Sequence, residues 1–272
     1  MAIKFIATDL DGTLMAPDHI TVTDRTKNAL LKAHEKGIKI SIATGRTLGF
    51  ITPVIEQIPF IDYVIFSNGA SVYDLQKKEI IYKNHISPEI TEKILKKLDS
   101  IDVYYNIYVD GKVYIQDNKQ QFYMNKDLPS DFLELFMASS KVCDNLCEEL
   151  KGESSEIVAV YTLNKDLENE IHQFFDEQKL LVTASLKDEI EATEETANKG
   201  TALSGVCEIL GIDKSEVMAF GDAMNDSHMI EFAGYSFAMA NACEELKKIA
   251  KYTTLSNAED GLAVAVETYA LD

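Results

Sequence analysis

At residues 5–14 the chain reads FIATDLDGTL. The apolar run predicts a buried strand, which ends in two carboxylates, Asp9 and Asp11, before a Gly12-Thr13 turn. Side chains at positions i and i+2 of a strand share a face, so both carboxylates leave the strand together. At close range and an effective dielectric of about 20, two such charges repel by roughly 4 kcal/mol. The pair therefore indicates a site that holds a cation or a reacting group, whereas a solvated Asp-Gly turn is the less specific alternative.

Length and charge limit the classes of function that fit this chain. Its 272 residues are enough for one large domain or two ordinary ones. The formal net charge is -19, from 26 basic and 45 acidic residues. Such a surface repels nucleic acid and anionic membranes, so we expect neither as a partner. It also repels phosphorylated small molecules, so any site for them needs local cations.

Cysteine content and hydropathy favour a cytoplasmic protein. The chain has four cysteines, and their spacing completes no zinc pattern, so we expect reduced thiols. No apolar run approaches the roughly 18 residues of a membrane helix. Because Met1 leads directly into a predicted strand, we expect no signal peptide.

Strand and helix patterns alternate at the start of the chain. Apolar runs of strand length alternate with a segment whose apolar residues have the spacing of a helix, and Gly37 marks the end of that helix. This alternation predicts an α/β fold with a Rossmann-like, doubly wound parallel sheet. The predicted elements are strands at 3–8, 38–43 and 64–66, a helix at 21–36 and a small hairpin at 73–74 and 80–82.

The pattern changes after about residue 84 and changes back near residue 190. Ser87-Pro88 predicts a capped helix start, and Asp110-Gly111 predicts the turn of an antiparallel hairpin. Mixed strands and helices indicate an α+β domain over residues 84–190. Its predicted elements are helices at 87–98 and 166–178 and strands at 104–109, 112–116, 156–163, 180–186 and 189–192. The parallel pattern then resumes, with helices at 199–210 and 259–269 and strands at 217–220 and 235–239.

Four groups of polar residues stand at the predicted strand ends or helix starts of the parallel part. Ligands of open α/β sheets bind beyond the carboxyl ends of the strands. Carboxylates hold hard cations, while hydroxyl, amide and ammonium groups hold phosphate oxygens. The set therefore predicts a phosphate site with Mg²⁺ to offset the carboxylates. The groups are Asp9 with Asp11, Thr44-Gly45-Arg46, Lys199, and Asp222 with Asn225 and Asp226.

These motifs and their order resemble the haloacid dehalogenase (HAD) superfamily, and most of all its Cof-like, class IIB sugar-phosphate phosphatases. The resemblance implies a HAD-like catalytic core at residues 1–83 and 191–272. It also implies that the α+β segment, residues 84–190, is one inserted cap domain that determines substrate specificity. The implied activity is a phosphoric monoester hydrolase that acts on a small phosphorylated metabolite. We expect a monomer or a weak homodimer.

The resemblance also implies a role for each residue of the catalytic pair. Asp9 corresponds to the nucleophile that forms an aspartyl-phosphate, and Asp11 to the general acid and base. Mg²⁺ is expected on the Asp9 carboxylate, the Asp11 backbone carbonyl and the Asp222 carboxylate. Asp226 is expected to orient the metal shell and Lys199.

Phosphate binding is the second part of the implied site. A hydroxyl, two backbone amides, an ammonium and an amide side chain are expected to contact the phosphoryl oxygens. These are the Thr44 hydroxyl, the amides of Leu10 and Gly45, and the side chains of Lys199 and Asn225, with Arg46 as a further substrate-binding residue.

Other functions share parts of this pattern. A phosphomutase or phosphotransferase uses the same aspartyl-phosphate, and products of a labelled substrate distinguish it from a phosphatase. A receiver-like signalling domain also clusters Asp, Thr and Lys at strand ends. That fold is far shorter and carries its phosphoacceptor on a middle strand, whereas Asp9 and Asp11 follow the first strand here. A catalytically silent binding protein is disfavoured because every motif residue is present.

Overall fold

The computed structural model describes residues 2–117, 130–183 and 189–271. The chain forms two compact units. The first unit comprises Met1–Arg46, Ile51–Lys83 and Asn198–Asp272. The second comprises Thr47–Phe50 and Asn84–Ala197.

The strands form two sheets, one in each unit. In chain order, the strands within the described residues are β1 (Phe5–Thr8), β2 (Lys39–Ala43), β3 (Tyr63–Phe66), β4 (Ser71–Asp74), β5 (Glu79–Lys83), β6 (Tyr104–Val109), β7 (Lys112–Gln116), β8 (Ser140–Cys143), β9 (Ile157–Tyr161), β10 (Leu180–Thr183), β11 (Glu189–Glu194), β12 (Val217–Gly221), β13 (Tyr235–Ala238) and β14 (Tyr252–Thr253).

Helices separate most of these strands. Those within the described residues are α1 (Asp24–Glu35), α2 (Leu48–Ile55), α3 (Pro88–Asp99), α4 (Ser130–Ser139), α5 (Leu146–Glu149), α6 (Lys165–Glu177), α7 (Lys199–Leu210), α8 (Ser227–Phe232), α9 (Glu244–Ile249) and α10 (Gly261–Val266). None of these helices combines the length and the apolar character that a membrane span requires.

The sheet of the first unit has the order β14-β13-β12-β1-β2-β3-β4-β5. Its pairs are parallel from β14 to β3, while β4 and β5 add an antiparallel hairpin. From β1 the chain winds outward to β3 on one side, and later from β12 to β14 on the other. The prediction of a doubly wound α/β sheet is therefore confirmed. The change of direction between β1 and β12 is where such folds bind ligands.

Short-range signals explain the limits of the helices in this unit. Helix α1 begins after Thr23, whose side chain accepts a hydrogen bond from the backbone N–H of Thr26. Helix α7 ends at Gly211, which has a φ of 66° and adopts the left-handed conformation that favours glycine. The predicted end of α7 was therefore correct, while the predicted start of α1 at residue 21 was too early because Thr23 is the cap.

The second unit is an α+β structure with the sheet order β10-β11-β9-β6-β7-β8. All of its pairs are antiparallel except β7 with β8. Alternate residues of β6, such as Tyr105 and Ile107, pack with Leu95 of α3 and Phe175 of α6 in one core. The predicted hairpin at 104–109 and 112–116 matches β6 and β7.

Two predicted boundaries were wrong. The domain limit after residue 190 falls inside β11, which pairs with β9 and β10, so the whole strand belongs to the second unit. The closing helix predicted at 259–269 is shorter: Asp260 has a φ of 57°, α10 starts at Gly261, and a wider turn covers Glu267–Leu271. Of the strand predicted at 180–186, residues 184–186 lie outside the described part of the chain.

Candidate active site

The sequence-predicted site residues of the first unit lie at its switch point. Asp9 follows β1, Thr44 follows β2 and Asp222 follows β12, and these three parallel strands are neighbours in the sheet. The backbone N–H of Asp9 donates to the carbonyl of Phe220 at 3.0 Å, which ties the end of β1 to β12. The sheet therefore brings these motifs to one edge although they are far apart in the sequence.

Lys199 is the centre of a buried ion-pair network. It is the first residue of α7, whose start is fixed by the cap residue Asn198. Its Nζ donates to Asp9 Oδ1 at 2.6 Å and to Asp226 Oδ1 at 2.7 Å. The Lys199 and Asp226 side chains are fully buried, and that of Asp9 is 9% exposed. Removing the charge of Lys199 would leave two buried carboxylates without a cation.

Both carboxylate oxygens of Asp226 accept hydrogen bonds from the protein. Its Oδ1 accepts from Lys199, while its Oδ2 accepts from the backbone N–H groups of Asp222 and Ala223, at 3.0 and 3.1 Å. A Cβ on Gly221 would lie 2.5 Å from the Cβ of Asp226, so only glycine permits this close approach. Asp226 thus orients both Lys199 and the turn that carries Asp222.

Asp222 lies against the first motif. Thr13 Oγ1 donates to Asp222 Oδ1 at 2.8 Å. Gly12 has a φ of 81°, and a Cβ there would lie 2.5 Å from Asp222 Oδ2. One carboxylate oxygen from each of Asp9, Asp222 and Asp226 lies within 4.8 Å of the others, a grouping that can hold a metal ion. Asp9 and Asp222 are the better donors, because Asp226 is already occupied.

Burial and charge shift the pKa values of this cluster. Burial raises the pKa of Asp9 well above its ordinary value, against the opposing charge of Lys199. Burial also raises the pKa of Asp222, against the hydrogen bond from Thr13. Desolvation would lower the pKa of Lys199, but the charges of Asp226 and Asp9 outweigh it and hold that pKa above its ordinary value. Two of the carboxylates therefore lack full compensation, while Lys199 stays charged.

Asp11 lies apart from this network. Its side chain is 41% exposed and accepts two hydrogen bonds from Arg46, from Nε to Oδ2 at 2.9 Å and from Nη2 to Oδ1 at 2.6 Å. His19 Nδ1 lies 3.4 Å from Asp11 Oδ1. The predicted substrate-binding residue Arg46 therefore contacts Asp11 in this structure.

The loop after β2 presents the remaining polar groups. Thr44 is buried, and its Oγ1 accepts from the backbone N–H of Arg46 at 3.1 Å, a bond that does not use the hydroxyl proton. Leu10 is also buried, in the turn after Asp9. Exposed Asn225 donates from Nδ2 to Asn68 Oδ1 at 3.4 Å.

Several contacts of the site come from residues without a predicted role. Besides Thr13, His19 and Asn68, Asn241 donates from Nδ2 to the carbonyl of Gly12 at 2.8 Å. Asn68 and Asn241 each follow a predicted strand in the sequence. Their place after a strand was the signal that could have identified them. Neither has a charged residue beside it in the sequence, so each looked like part of an ordinary turn.

The comparison with protein families agrees with this geometry. The family model described as haloacid dehalogenase-like hydrolase matches residues 6–266, which include all the motif residues above. The chain belongs to this family. The resemblance to Cof-like phosphatases of the HAD superfamily is thus confirmed, and the chain is a phosphoric monoester hydrolase of that superfamily.

Similar proteins cover almost the whole chain. Phosphatase YwpJ of Bacillus subtilis is 29% identical, over 96% of this chain and 98% of the relative. The 5-amino-6-(5-phospho-D-ribitylamino)uracil phosphatase YcsE of the same organism is 29% identical, over 99% of this chain and 96% of the relative. The solved structure of a haloacid dehalogenase-like hydrolase from B. subtilis has a TM-score of 0.75 and 26% identity, over 97% of this chain and 99% of that chain.

Proposed function

We propose that this phosphatase hydrolyses a small phosphorylated metabolite, a sugar phosphate or a similar compound, through an aspartyl-phosphate on Asp9. The observation that carries the proposal is the Asp9 carboxylate at the end of the central strand, with one oxygen on buried Lys199 and Asp11 two residues away. Since Lys199 holds Oδ1 of Asp9, we assign the attack on phosphorus to the other carboxylate oxygen.

The reaction proceeds in two displacements. In the first, an Asp9 oxygen forms a bond to phosphorus, the bond from phosphorus to the ester oxygen breaks, and Asp11 gives a proton to that leaving oxygen. In the second, Asp11 takes a proton from a water molecule whose oxygen bonds to phosphorus. The bond between phosphorus and Asp9 then breaks, which releases inorganic phosphate and restores both carboxyl groups.

The donor set fits a divalent cation. Asp9, Asp222 and Asp226 bring three negative charges, against which Lys199 brings one positive charge. The two uncompensated charges and the oxygen-only ligands are those that Mg²⁺ prefers. The Asp9 and Asp222 carboxylates and the Asp11 backbone carbonyl would hold it. When bound, Mg²⁺ supplies positive charge that offsets the charge of the phosphoryl oxygens.

Phosphate binding falls to the groups around this cluster. The Thr44 hydroxyl and the backbone amides of Leu10 and Gly45 donate hydrogen bonds to phosphoryl oxygens. Lys199 adds a positive charge, and Asn225 adds an amide donor at the rim. Arg46 orients the Asp11 side chain through two hydrogen bonds.

We assign the catalytic role to the first unit and substrate selection to the second, the α+β unit. The first unit contains every proposed catalytic, phosphate-binding and metal-binding residue. YcsE, whose name specifies a phosphorylated ribitylamino-uracil, supports a small phosphorylated metabolite as substrate. Four cysteines, all free thiols, support a cytoplasmic enzyme.

Phosphate release from a panel of phosphorylated sugars, nucleotides and vitamin phosphates tests this proposal. We expect Mg²⁺-dependent turnover of at least one substrate, with activity lost in excess chelator and restored by Mg²⁺. Asp9→Asn should remove turnover almost completely, because an amide is a poor nucleophile and a weaker metal ligand. Asp24→Asn, on an exposed aspartate of α1, is the matched control and should leave the rate unchanged. Full activity in excess chelator would contradict the metal assignment.

A further inference from the structure

The turn Ser67–Gly69 joins β3 to β4 and contains a rare backbone conformation. Its three residues have positive φ angles of 50° at Ser67, 53° at Asn68 and 95° at Gly69. Glycine adopts this region freely and asparagine tolerates it, but two successive non-glycine residues there are uncommon. Contacts with the rest of the first unit must therefore hold the turn in place.

One set of contacts joins the turn to the proposed phosphate-binding loop. The backbone N–H of Ser67 donates to the Arg46 carbonyl, and that of Asn68 to the Thr44 carbonyl, both at 3.0 Å. A Cβ on Gly45 would lie 2.9 Å from Asn68 Oδ1 and 3.2 Å from Asn68 Nδ2. The carboxamide of Asn68 thus lies directly against Gly45, whose amide we assign to phosphate.

Two further contacts join the same turn to the other motifs. A Cβ on Gly69 would lie 2.2 Å from the carbonyl of Asn198, the residue before Lys199. Asn68 Oδ1 accepts the hydrogen bond from Asn225 Nδ2. One turn without catalytic side chains therefore contacts the loop after β2, the start of α7 and the turn after β12.

We propose that Asn68 is a positioning residue for phosphate, which acts through Asn225 and Gly45. The inference rests on the proposed phosphatase function. Asn68 Oδ1 fixes the orientation of the exposed Asn225 side chain, and the Asn68 carboxamide limits the movement of Gly45. Without Asn68, the Asn225 side chain and the Gly45 amide become ordered only when phosphate binds. The affinity for phosphate therefore falls more than the rate of the chemical steps.

The variant Asn68→Gly tests this inference, because glycine adopts the left-handed backbone without strain and lacks the carboxamide. Lys78→Gly is the matched control: Lys78 has a φ of 59° in the exposed turn between β4 and β5. We expect KM for nitrophenyl phosphate and the inhibition constant of inorganic phosphate to rise about tenfold in Asn68→Gly, the effect of one lost hydrogen bond. The value of kcat should change much less, and Lys78→Gly should match the wild type.

A double variant decides whether Asn68 acts through Asn225. If it does, Asn68→Gly should weaken the binding of inorganic phosphate less in the Asn225→Ala background than in the wild type, because only its effect through Gly45 remains. The inference would be overturned if the two substitutions weakened phosphate binding by independent, fully multiplied factors. It would also be overturned if Asn68→Gly bound phosphate as tightly as Lys78→Gly. In both cases an active wild type would still support the proposed function. A wild-type protein that releases no phosphate from any substrate would overturn the proposed function, and the inference with it.

Discussion

At the scale of single residues, the charge of Lys199 holds the site together. Its ammonium bonds to two carboxylates, Asp9 and Asp226, in a place that water does not reach. An exposed ion pair contributes little to stability, but a buried charge that loses its partner is costly. The stability of the first unit should therefore depend on this side chain as much as the proposed chemistry does.

Replacing Lys199 with methionine should lower the free energy of unfolding by about 3–5 kcal/mol at neutral pH, because two buried carboxylates lose their cation. Lys199 opposes the rise that burial causes in the pKa of Asp9, so without Lys199 that pKa rises further and Asp9 takes up a proton as the pH falls. The loss in free energy of unfolding should therefore become smaller as the pH is lowered toward about 4, the ordinary pKa of aspartate. Denaturant unfolding at several pH values measures this.

Lys4→Met is the control for that measurement. Lys4 pairs with Glu216 at 2.7 Å, but its side chain is 55% exposed. The change should cost about 0–1 kcal/mol, as for surface ion pairs in general. Equal losses in Lys4→Met and Lys199→Met would show that the buried network does not stabilise the fold.

Gly12 lies against the Asp222 carboxylate, with no room for a side chain between them. Gly12→Ala should lower kcat/KM by more than tenfold, because the new Cβ would lie 2.5 Å from Asp222 Oδ2 and displace a proposed metal ligand. Gly37→Ala is the matched control: its φ of 86° imposes the same backbone strain, but nothing lies within 4 Å of the new Cβ. Both variants should lose similar stability, and only Gly12→Ala should lose activity. Full activity in Gly12→Ala would contradict the role of Asp222 as a metal ligand.

Some residues of the site could be predicted from the sequence and others could not. Asp9 and Asp11 stand in one short motif, so local order indicated a site for a cation or a reacting group, while their separate roles were implied by the family resemblance. Asn68 was not, because its importance arises from contacts with Gly45 and Asn225, which lie far from it in the sequence. The pairing of Asp11 with Arg46 was also missed, since spacing does not reveal which side chains meet at a strand end.

At the scale of elements, the start of α7 determines where Lys199 lies. Asn198 caps this helix: its side chain accepts from the backbone N–H of Thr201 at 2.9 Å, while Thr201 Oγ1 accepts from the Asn198 backbone N–H at 3.2 Å. Such a reciprocal pair satisfies two backbone groups at the helix start. The cap thereby fixes the first residue of the helix, which is Lys199.

Asn198→Ala should cost about 1 kcal/mol of stability, the usual effect of losing an N-cap. Asn164 is the matched control, because it caps α6 in the second unit by accepting from the backbone N–H groups of Asp166 and Leu167. Asn164→Ala should cost a similar free energy, but only Asn198→Ala should lower phosphate release. Thermal unfolding and initial rates test both statements, and equal activity in the two variants would contradict them.

Local signals predicted elements well where a cap or turn residue is decisive. Ser87 with Pro88, and Gly211, mark helix ends that the structure confirms. The C-terminal region was harder, because the left-handed Asp260 delays the helix start to Gly261 and the helix gives way to a π-helical turn at Glu267. Helix α2 was not predicted at all, since its sequence contains Pro53 and lacks a polar face.

For the whole molecule, residues 84–197 form one long insertion in the sequence, and its two ends lie close together. Asn84 Nδ2 donates to Thr196 Oγ1 at 3.0 Å, although 112 positions separate them in the sequence. Each unit has its own sheet, and no strand pairs across them within the described residues. A short linker can therefore replace residues 84–197 without a gap in the first unit.

We predict that this deletion leaves a folded, Mg²⁺-binding core that still hydrolyses nitrophenyl phosphate, because every proposed catalytic residue remains. Turnover of the best natural substrate should fall far more, since the second unit is proposed to select the substrate. The measurement is the ratio of the two activities in the full chain and in the deletion variant. An unchanged ratio would place substrate selection in the loops of the first unit.

The proposed reaction depends on phosphorylation of Asp9, and this intermediate can be trapped and observed. In Asp11→Asn the proposed base is absent, so water attack slows, while the good leaving group of nitrophenyl phosphate needs no acid. Acid-quenched Asp11→Asn protein, analysed by mass spectrometry with Mg²⁺ present, should gain one phosphoryl group on the peptide that contains Asp9. The gain should disappear in the Asp9→Asn, Asp11→Asn double variant. A phosphoryl group on another residue, or none while phosphate release continues, would show that Asp9 is not the nucleophile.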